Sequence, residues 1–449
     1  MLKRFASVLK LRPNEWKLVV PVMLLLTINT LVLELADVVA MAGFISNLGT
    51  SQLLWLWPLV MTVTLLAAGG YALVVDRTQR VKLVGNLLAG FGFLYLVMLA
   101  LFWYDAPEIV RYPLLSMLSE QQHAVFPLAF WALANDLYSV SDGKRLFPLL
   151  AAGSAIGSLL GNGLAALLSL LAAENGSLAP LYVLGLCAGL CFAAWAALRL
   201  AFRRHTLRAR QARPAEYDIR QTFQVGTDVI RNVPLFRYLA LVLFASGIAL
   251  TVVEFHFLTS LDLVAASNPL LLQQLYGFYK LALVAAILLF QWGVTGRWLS
   301  RINPKSNFVL LPLVLLLVGG SALIIPIVGG LGGRFLARLI QVGWDEPARK
   351  SVQGIIPDER RGRVSVFLDS YCYAFATICG CALIAAVYGL QALGWFGGIL
   401  TGAYLAAAVV AALVALWAAL RLRLVYDKSL LNWRLARSRR KSVLDGIDF

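Results

Sequence analysis

Charge is scarce in this chain: Asp, Glu, Lys and Arg make up 14% of its 449 residues, against 60% hydrophobic, and the mean hydropathy is +0.78. A composition so poor in charge excludes a water-soluble domain, and apolar runs of ~20 residues recurring from end to end indicate a polytopic membrane protein. Histidine is scarcer still, with three residues, and the five cysteines (Cys187, Cys191, Cys372, Cys379, Cys381) all fall inside apolar runs. Neither set has the spacing of a zinc site or a redox pair, so no metal is expected and the cysteines read as small packing residues. A phosphate loop of the Gly-x-x-x-x-Gly-Lys type and a nucleophile paired with a base are both missing. ATP hydrolysis and soluble catalysis are therefore not expected, nor is a cofactor. The Lys-rich start leads into a full-length span without a small-residue cleavage site, so the first span is expected to stay as an anchor.

What is present is a series of about twelve spans: Leu18 to Met41, Leu53 to Val75, Leu83 to Phe102, Tyr112 to Asp136, Leu146 to Leu171, Leu181 to Leu198, Tyr238 to Leu258, Leu272 to Gly296, Phe308 to Val328, Leu331 to Ile355, Val364 to Leu390 and Trp395 to Leu420. The net charge of +16 follows from orientation. Lys and Arg crowd alternate loops, including Lys3 to Lys17, Arg77 to Lys82, Lys144 with Arg145, Arg199 to Arg237, Arg297 to Lys305, Arg360 to Arg363 and Arg434 to Lys441, while the opposite loops hold little beyond Arg111. The positive-inside rule then puts both termini in the cytoplasm of a cell whose inner (plasma) membrane holds the chain. Basic loops of this kind are a topology signal, so no nucleic-acid partner is expected; the lipid bilayer is the surrounding medium, and a monomer is expected.

The one long polar connection divides the chain into a six-span bundle at 1–202, a cytoplasmic linker at 203–236, a second six-span bundle at 237–421 and a basic tail at 422–449. Secondary transporters are often built from two such bundles that rock about a site at their interface. Weak internal similarity agrees: Asp76 to Arg80 closes span two as Arg297 to Arg301 closes span eight, and Asp142 to Arg145 precedes span five as Asp358 to Arg363 precedes span eleven. The first of these stretches resembles the cytoplasmic loop motif of the major facilitator superfamily, Gly-x-x-x-Asp-Arg-x-Gly-Arg-Arg/Lys. Asp76, Arg77 and Arg80 match as a cytoplasmic gate motif, while Ala72 and Gln79 stand where glycines would be. Gly153, Gly157 and Gly161 form a bare ridge on span five that admits another helix closely, expected at the interface between the halves.

The charges inside the spans concentrate in the first, fourth, seventh and tenth. Glu34 and Asp37 lie in the first, Glu120 and His123 in the fourth, and Glu254 and His256 in the seventh, while Lys280 lies in the eighth. In the tenth, Arg334, Arg338, Gln341, Asp345 and Arg349 are spaced by four, three, four and four and so form one helical stripe, followed by Lys350. An ionised side chain at membrane depth is costly unless it faces a partner or a wet cavity, so each is a candidate for a substrate or coupling site. At a rise of ~1.5 Å per residue, Glu34, Glu120, Glu254, Lys280 and Arg338 all fall roughly 5 to 10 Å to the outer side of the midplane. Lys280 and Arg338 could hold an anion there while carboxylates exchange protons. The alternative is a set of fixed ion pairs holding helices in register. His123 and His256 are expected to hydrogen-bond these charges, and Pro347, beside four charges, to kink the tenth span at a cavity mouth or inner gate.

Phe130-Trp131-Ala132-Leu133-Ala134-Asn135-Asp136 with Lys144-Arg145-Leu146-Phe147-Pro148-Leu149, Gly247-Ile248 with Val253-Glu254, and Ile356-Pro357-Asp358-Glu359 resemble, in order, motifs of the ATP/ADP translocase (nucleotide transporter) family of plastids and intracellular bacteria. The resemblance implies the major facilitator fold and a functional role for Glu254. It sets Asp37 on a family aspartate, Glu120 within about a residue of a family glutamate, and Lys350 or Arg349 in place of a tenth-helix lysine. Ala36 stands where that family's first-helix lysine would serve nucleotide phosphates. The expected protein is thus an all-α membrane protein of the major facilitator fold. Its expected function is secondary transport of a small anionic solute, a nucleotide or phosphorylated metabolite among the candidates, by exchange or coupling to protons. The alternative is a non-transporting membrane scaffold or assembly factor that holds a partner on its basic cytoplasmic surface.

Overall fold

The computed structural model describes residues 15–75, 78–138, 140–171, 179–202, 231–295, 301, 304–353, 364, 367–394 and 400–444. Asp76 and Arg77 of the gate motif, most of the linker and residues 354–363 lie outside these. Every regular element among the described residues is helical: α1 Trp16–Leu48, α2 Leu53–Val75, α3 Arg80–Trp103, α4 Glu108–Leu137, α5 Val140–Leu171, α6 Ala179–Phe202, α7 Pro234–Ala265, α8 Pro269–Phe290, α9 Leu310–Ile324, α10 Pro326–Ile340, α11 Glu346–Gln353, α12 Cys372–Ala392 and α13 Leu400–Leu444, with short 3-10 and π turns. Ten helical stretches among them are long and apolar enough to cross a membrane. Two expected spans do not meet that measure, and both are charge-bearing: α4, and the tenth, which a π turn at Gln341–Asp345 interrupts. The chain is a multi-pass all-α membrane protein.

Helix ends follow local chemistry. The ninth span stops at Ile324 and the tenth starts at Pro326, earlier than the expected break near 329, because proline suits the first turn of a helix, where its missing N–H leaves no bond unmade. The two helices then fold back against each other through glycine: a Cβ on Gly329 would sit 2.6 Å from the Ala322 backbone. The basic tail continues α13 as helix to Leu444.

The chain divides into two compact units, one formed by residues 1–217 with 261–285 and the other by 218–260 with 286–449. In the first, α1 is the central helix, packed on α4, α5 and α6, and its Val22, Val32, Leu35 and Phe44 are fully enclosed. The glycine ridge of α5 lies on α1 inside this unit, which corrects its expected place between the halves. A Cβ on Gly157 would collide with the Thr27 carbonyl oxygen, and one on Gly161 would come 2.6 Å from that of Leu31. The second unit has two apolar clusters, one around Leu239, Phe308, Val352 and Leu422 and the other around Val253, Leu315, Val318 and Trp344. It repeats the glycine device where α7 crosses α12: a Cβ on Gly380 would lie 2.8 Å from Thr251 Cβ, and one on Gly247 2.6 Å from Ala376 Cβ.

Gly157→Ala therefore forces α5 off the α1 backbone and is expected to cost about 1–3 kcal/mol of stability. Gly185→Ala on α6, where a Cβ meets nothing within 4 Å, is expected to be neutral or to stabilise by up to ~1 kcal/mol through helix propensity. Thermal unfolding of the purified full chain in detergent separates the two.

Candidate functional site

In the first unit, three ionised side chains converge. Glu34 and Asp37 stand one turn apart on the same face of α1, and Lys280 Nζ on α8 reaches both, at 2.6 Å from Glu34 Oε2 and 2.8 Å from Asp37 Oδ2. Lys280 is aimed by the docking of α8 on α5: Gln273 Nε2 donates to the Ala165 carbonyl at 2.9 Å, and Gly277 lets the backbone approach Ala166. Its ammonium also lies 5.5 Å from the centre of the Tyr276 ring. Glu34 is held from the other side by Ser158 Oγ at 2.9 Å and Asn162 Nδ2 at 3.2 Å, both on α5. The three charged side chains keep only 14 to 18% of their surface exposed, so two carboxylates and one ammonium share an almost dry site.

Sequence reasoning missed Ser158 and Asn162, although a signal exists: Ser154, Ser158 and Asn162 recur every fourth residue, each one position after a ridge glycine. Ser154 Oγ lies 3.2 Å from Thr30 Oγ1, so this polar stripe follows α1 as the ridge does. A second missed chain is fully buried: the Tyr95 hydroxyl donates to Gln122 Oε1 at 2.7 Å, and Gln122 Nε2 donates to Asn29 Oδ1 at 2.9 Å, joining α3, α4 and α1. Of the two candidates on α4, Glu120 is half-buried and His123 is exposed. Arg80, the described part of the gate motif, pairs with Asp136 at 3.6 Å and so ties the start of α3 to the end of α4.

The second unit holds its own pair. Arg334 on α10 grips Glu254 on α7 with two parallel bonds, Nε to Oε2 at 2.7 Å and Nη2 to Oε1 at 2.9 Å, and its guanidinium lies 5.1 Å from the centre of the Phe257 ring. This bidentate geometry is the strongest form of an ion pair between side chains. Arg338, in the layer expected to hold Glu254, donates instead to Gln341 Oε1 at 2.9 Å and makes no ion pair among the described residues. His256 does not hydrogen-bond a charge, contrary to expectation: its Nε2 lies 2.9 Å from the Pro326 carbonyl and its Nδ1 2.9 Å from the Tyr404 hydroxyl. Because a carbonyl only accepts, Nε2 carries a proton and donates it to Pro326.

The expected single stripe on the tenth span is interrupted for a reason that begins at Pro347. Proline has no N–H to return to the carbonyl four residues back, Gly343. That oxygen accepts instead from Thr295 Oγ1 at 2.5 Å, and the neighbouring Val342 carbonyl accepts from Gln291 Nε2 at 3.3 Å. The stretch in between is a π turn, the form that wide helical turns take at many functional sites. Asp345, its last residue, is buried, and beyond it Arg349 and Lys350 both pair with Asp369, at 3.2 and 2.5 Å. Asp369 was not among the expected site residues. It stands in another π turn, Phe367–Tyr371, with no intramembrane charge beside it in sequence to single it out.

No protein-family model matches the sequence, and no curated protein matches it. Solved structures do. A mutant of the nucleoside transporter NupG superposes with a TM-score of 0.63 at 12% identity, over 90% of this chain and 98% of that one. A bacterial homologue of the iron transporter ferroportin in its inward-facing state gives 0.61 at 16% identity, over 91% and 99%. The D-xylose-proton symporter gives 0.60 at 12% identity, over 88% and 96%. This chain has the major facilitator fold. At these identities the likeness is one of fold, and the chemistry has to be read from the residues.

Replacing Lys280 with Met leaves two carboxylates buried without their cation and is expected to destabilise the protein by about 3–5 kcal/mol. The triple variant Lys280→Met, Glu34→Gln, Asp37→Asn removes all three charges and is expected to recover most of that loss, as read from thermal unfolding of both proteins in detergent.

Proposed function

We propose that this chain is a secondary transporter of a small anionic solute, working by alternating access and coupled to protons. The observation that carries the reading is the odd charge of the Glu34, Asp37 and Lys280 cluster. Ion pairs kept only for register come out neutral, as Arg334 with Glu254 does, because an unmatched charge at membrane depth costs several kcal/mol. Two carboxylates on one lysine leave a charge of −1 that a proton can neutralise. Protonation of either carboxyl also loosens its hold on Lys280, which frees a cation for a solute. Arg338 adds a second cation that no carboxylate among the described residues neutralises.

Anionic solutes of the nucleotide or organophosphate class fit this reading best, and the resemblance to the ATP/ADP translocase family favours them. Ala36, at the place of that family's lysine, is fully buried, so here a phosphate would be met by Lys280 or Arg338. A thermal-shift series on the purified full chain with ATP, ADP, inorganic phosphate and sugar phosphates tests the solute class. A ligand at 100 times its Kd stabilises the folded state by ~2.7 kcal/mol. At least one of these anions is expected to raise the Tm, and Arg338→Gln is expected to abolish the shift without lowering the Tm of the free protein. A shift with neutral or cationic solutes and none with anions contradicts the anionic assignment.

A further inference from the structure

The second unit contains a small cavity beside the Arg349 and Asp369 pair. It measures about 30 Å³, room for about two waters, and is lined by Ser246 of α7, Gln341, Asp345 and Arg349 of the tenth span, and Tyr373 of α12 among apolar side chains. Asp345 and Ser246 are each 2% exposed, and Asp345 Oδ1 and Ser246 Oγ have no hydrogen-bond partner. Buried polar atoms are almost always paired, so two unpaired oxygens lining one water-sized cavity mark a site prepared for something small and polar.

The charges around Asp345 say what that is. From its own span come Arg349 and Glu346, and from the π turn at Phe367–Tyr371 comes Asp369, which Lys350 also holds; the cavity lining adds the Ser246 hydroxyl of α7 and the Tyr373 phenol of α12. Arg349 faces Asp345 and also pairs with Asp369 at 3.2 Å, a carboxylate it shares with Lys350. Arg338 is engaged by Gln341. Asp345 itself makes no ion pair among the described residues, so its Oδ1 is left to what the cavity holds. A metal cation needs several oxygen ligands where the cavity offers two unpaired ones, whereas a proton needs one carboxylate oxygen and one acceptor.

We propose that Asp345 is a proton-binding site, loaded and unloaded through this cavity. A hydrated proton entering it forms an O–H bond on Oδ1 and leaves water behind. The resulting hydroxyl donates to Ser246 Oγ, directly or through one water, and release reverses the step. The π turn, anchored by Thr295 and Gln291, places this carboxyl. The inference goes beyond the transport reading, because protonation can be measured without flux and each can fail without the other.

The test is pH-difference infrared spectroscopy of the full chain in lipid, following the carbonyl stretch of protonated carboxyl groups in the wild type, Asp345→Asn and Ser246→Ala. The wild type is expected to show a band that grows as pH falls, that is missing from Asp345→Asn, and that shifts in frequency in Ser246→Ala, a variant that removes a single hydroxyl and is expected to fold. An unchanged band in both variants overturns the proposal. Exchanging choline chloride for sodium chloride is expected to leave the titration in place; its loss in sodium would make the site one for a metal cation and overturn the proton assignment.

Discussion

An ionised group among apolar helices has to find its counter-charge within the protein, and the first unit is organised around meeting that demand for Lys280. Two carboxylates on one face of α1 supply it, but only because α5 lies close enough for Ser158 and Asn162 to bond Glu34 from behind. That closeness depends on Gly153, Gly157 and Gly161, which have no side chains to hold the backbones apart. Packing and electrostatics are therefore one arrangement here: a methyl group on the ridge would disturb the site as well as the helix pair.

The second unit solves the same problem differently. A glycine crossing joins α7 to α12, but Glu254 of α7 is neutralised by a guanidinium fork from α10, with no second carboxylate. One unit thus holds a matched pair and the other an unmatched trio. That difference is what the proposal of proton exchange at the trio rests on, while the fork holds α7 against α10. The missing N–H of Pro347 has a separate consequence, since the carbonyl it leaves open is taken by Thr295, and Asp345 closes the π turn that results, with Arg349 one turn further on.

Much of this is legible in the sequence. Hydrophobic runs locate the spans because the bilayer leaves the backbone no alternative to helix, and charges inside such runs are conspicuous because they are rare. The grouping of Glu34 and Asp37 follows from helical spacing alone. Their meeting with Lys280, 243 positions away from Asp37, is a tertiary contact that spacing cannot show, and the depth estimate only made it consistent. Depth likewise set Arg338 in one layer with Glu254, where the structure pairs Glu254 with Arg334 one turn away, a shift smaller than the error of counting residues through a helix. Uncharged partners such as Ser158, Asn162 and Gln122 pass unnoticed because polar uncharged residues are common in spans. The π turn is hidden because the stripe on the tenth span was read at a constant 3.6 residues per turn.

The central claim is that the Glu34, Asp37 and Lys280 cluster is exchangeable machinery and not a fixed clamp. Its most direct test is flux, in proteoliposomes with an imposed pH gradient, of an anion shown to bind, comparing the wild type with the charge-neutralised triple variant. Gradient-driven uptake is expected of the wild type, and its loss, by about 100-fold or more at ~2.7 kcal/mol per hundredfold, of a variant that remains folded. Undiminished uptake by the folded triple variant would contradict it and leave the cluster a structural tie between α1 and α8.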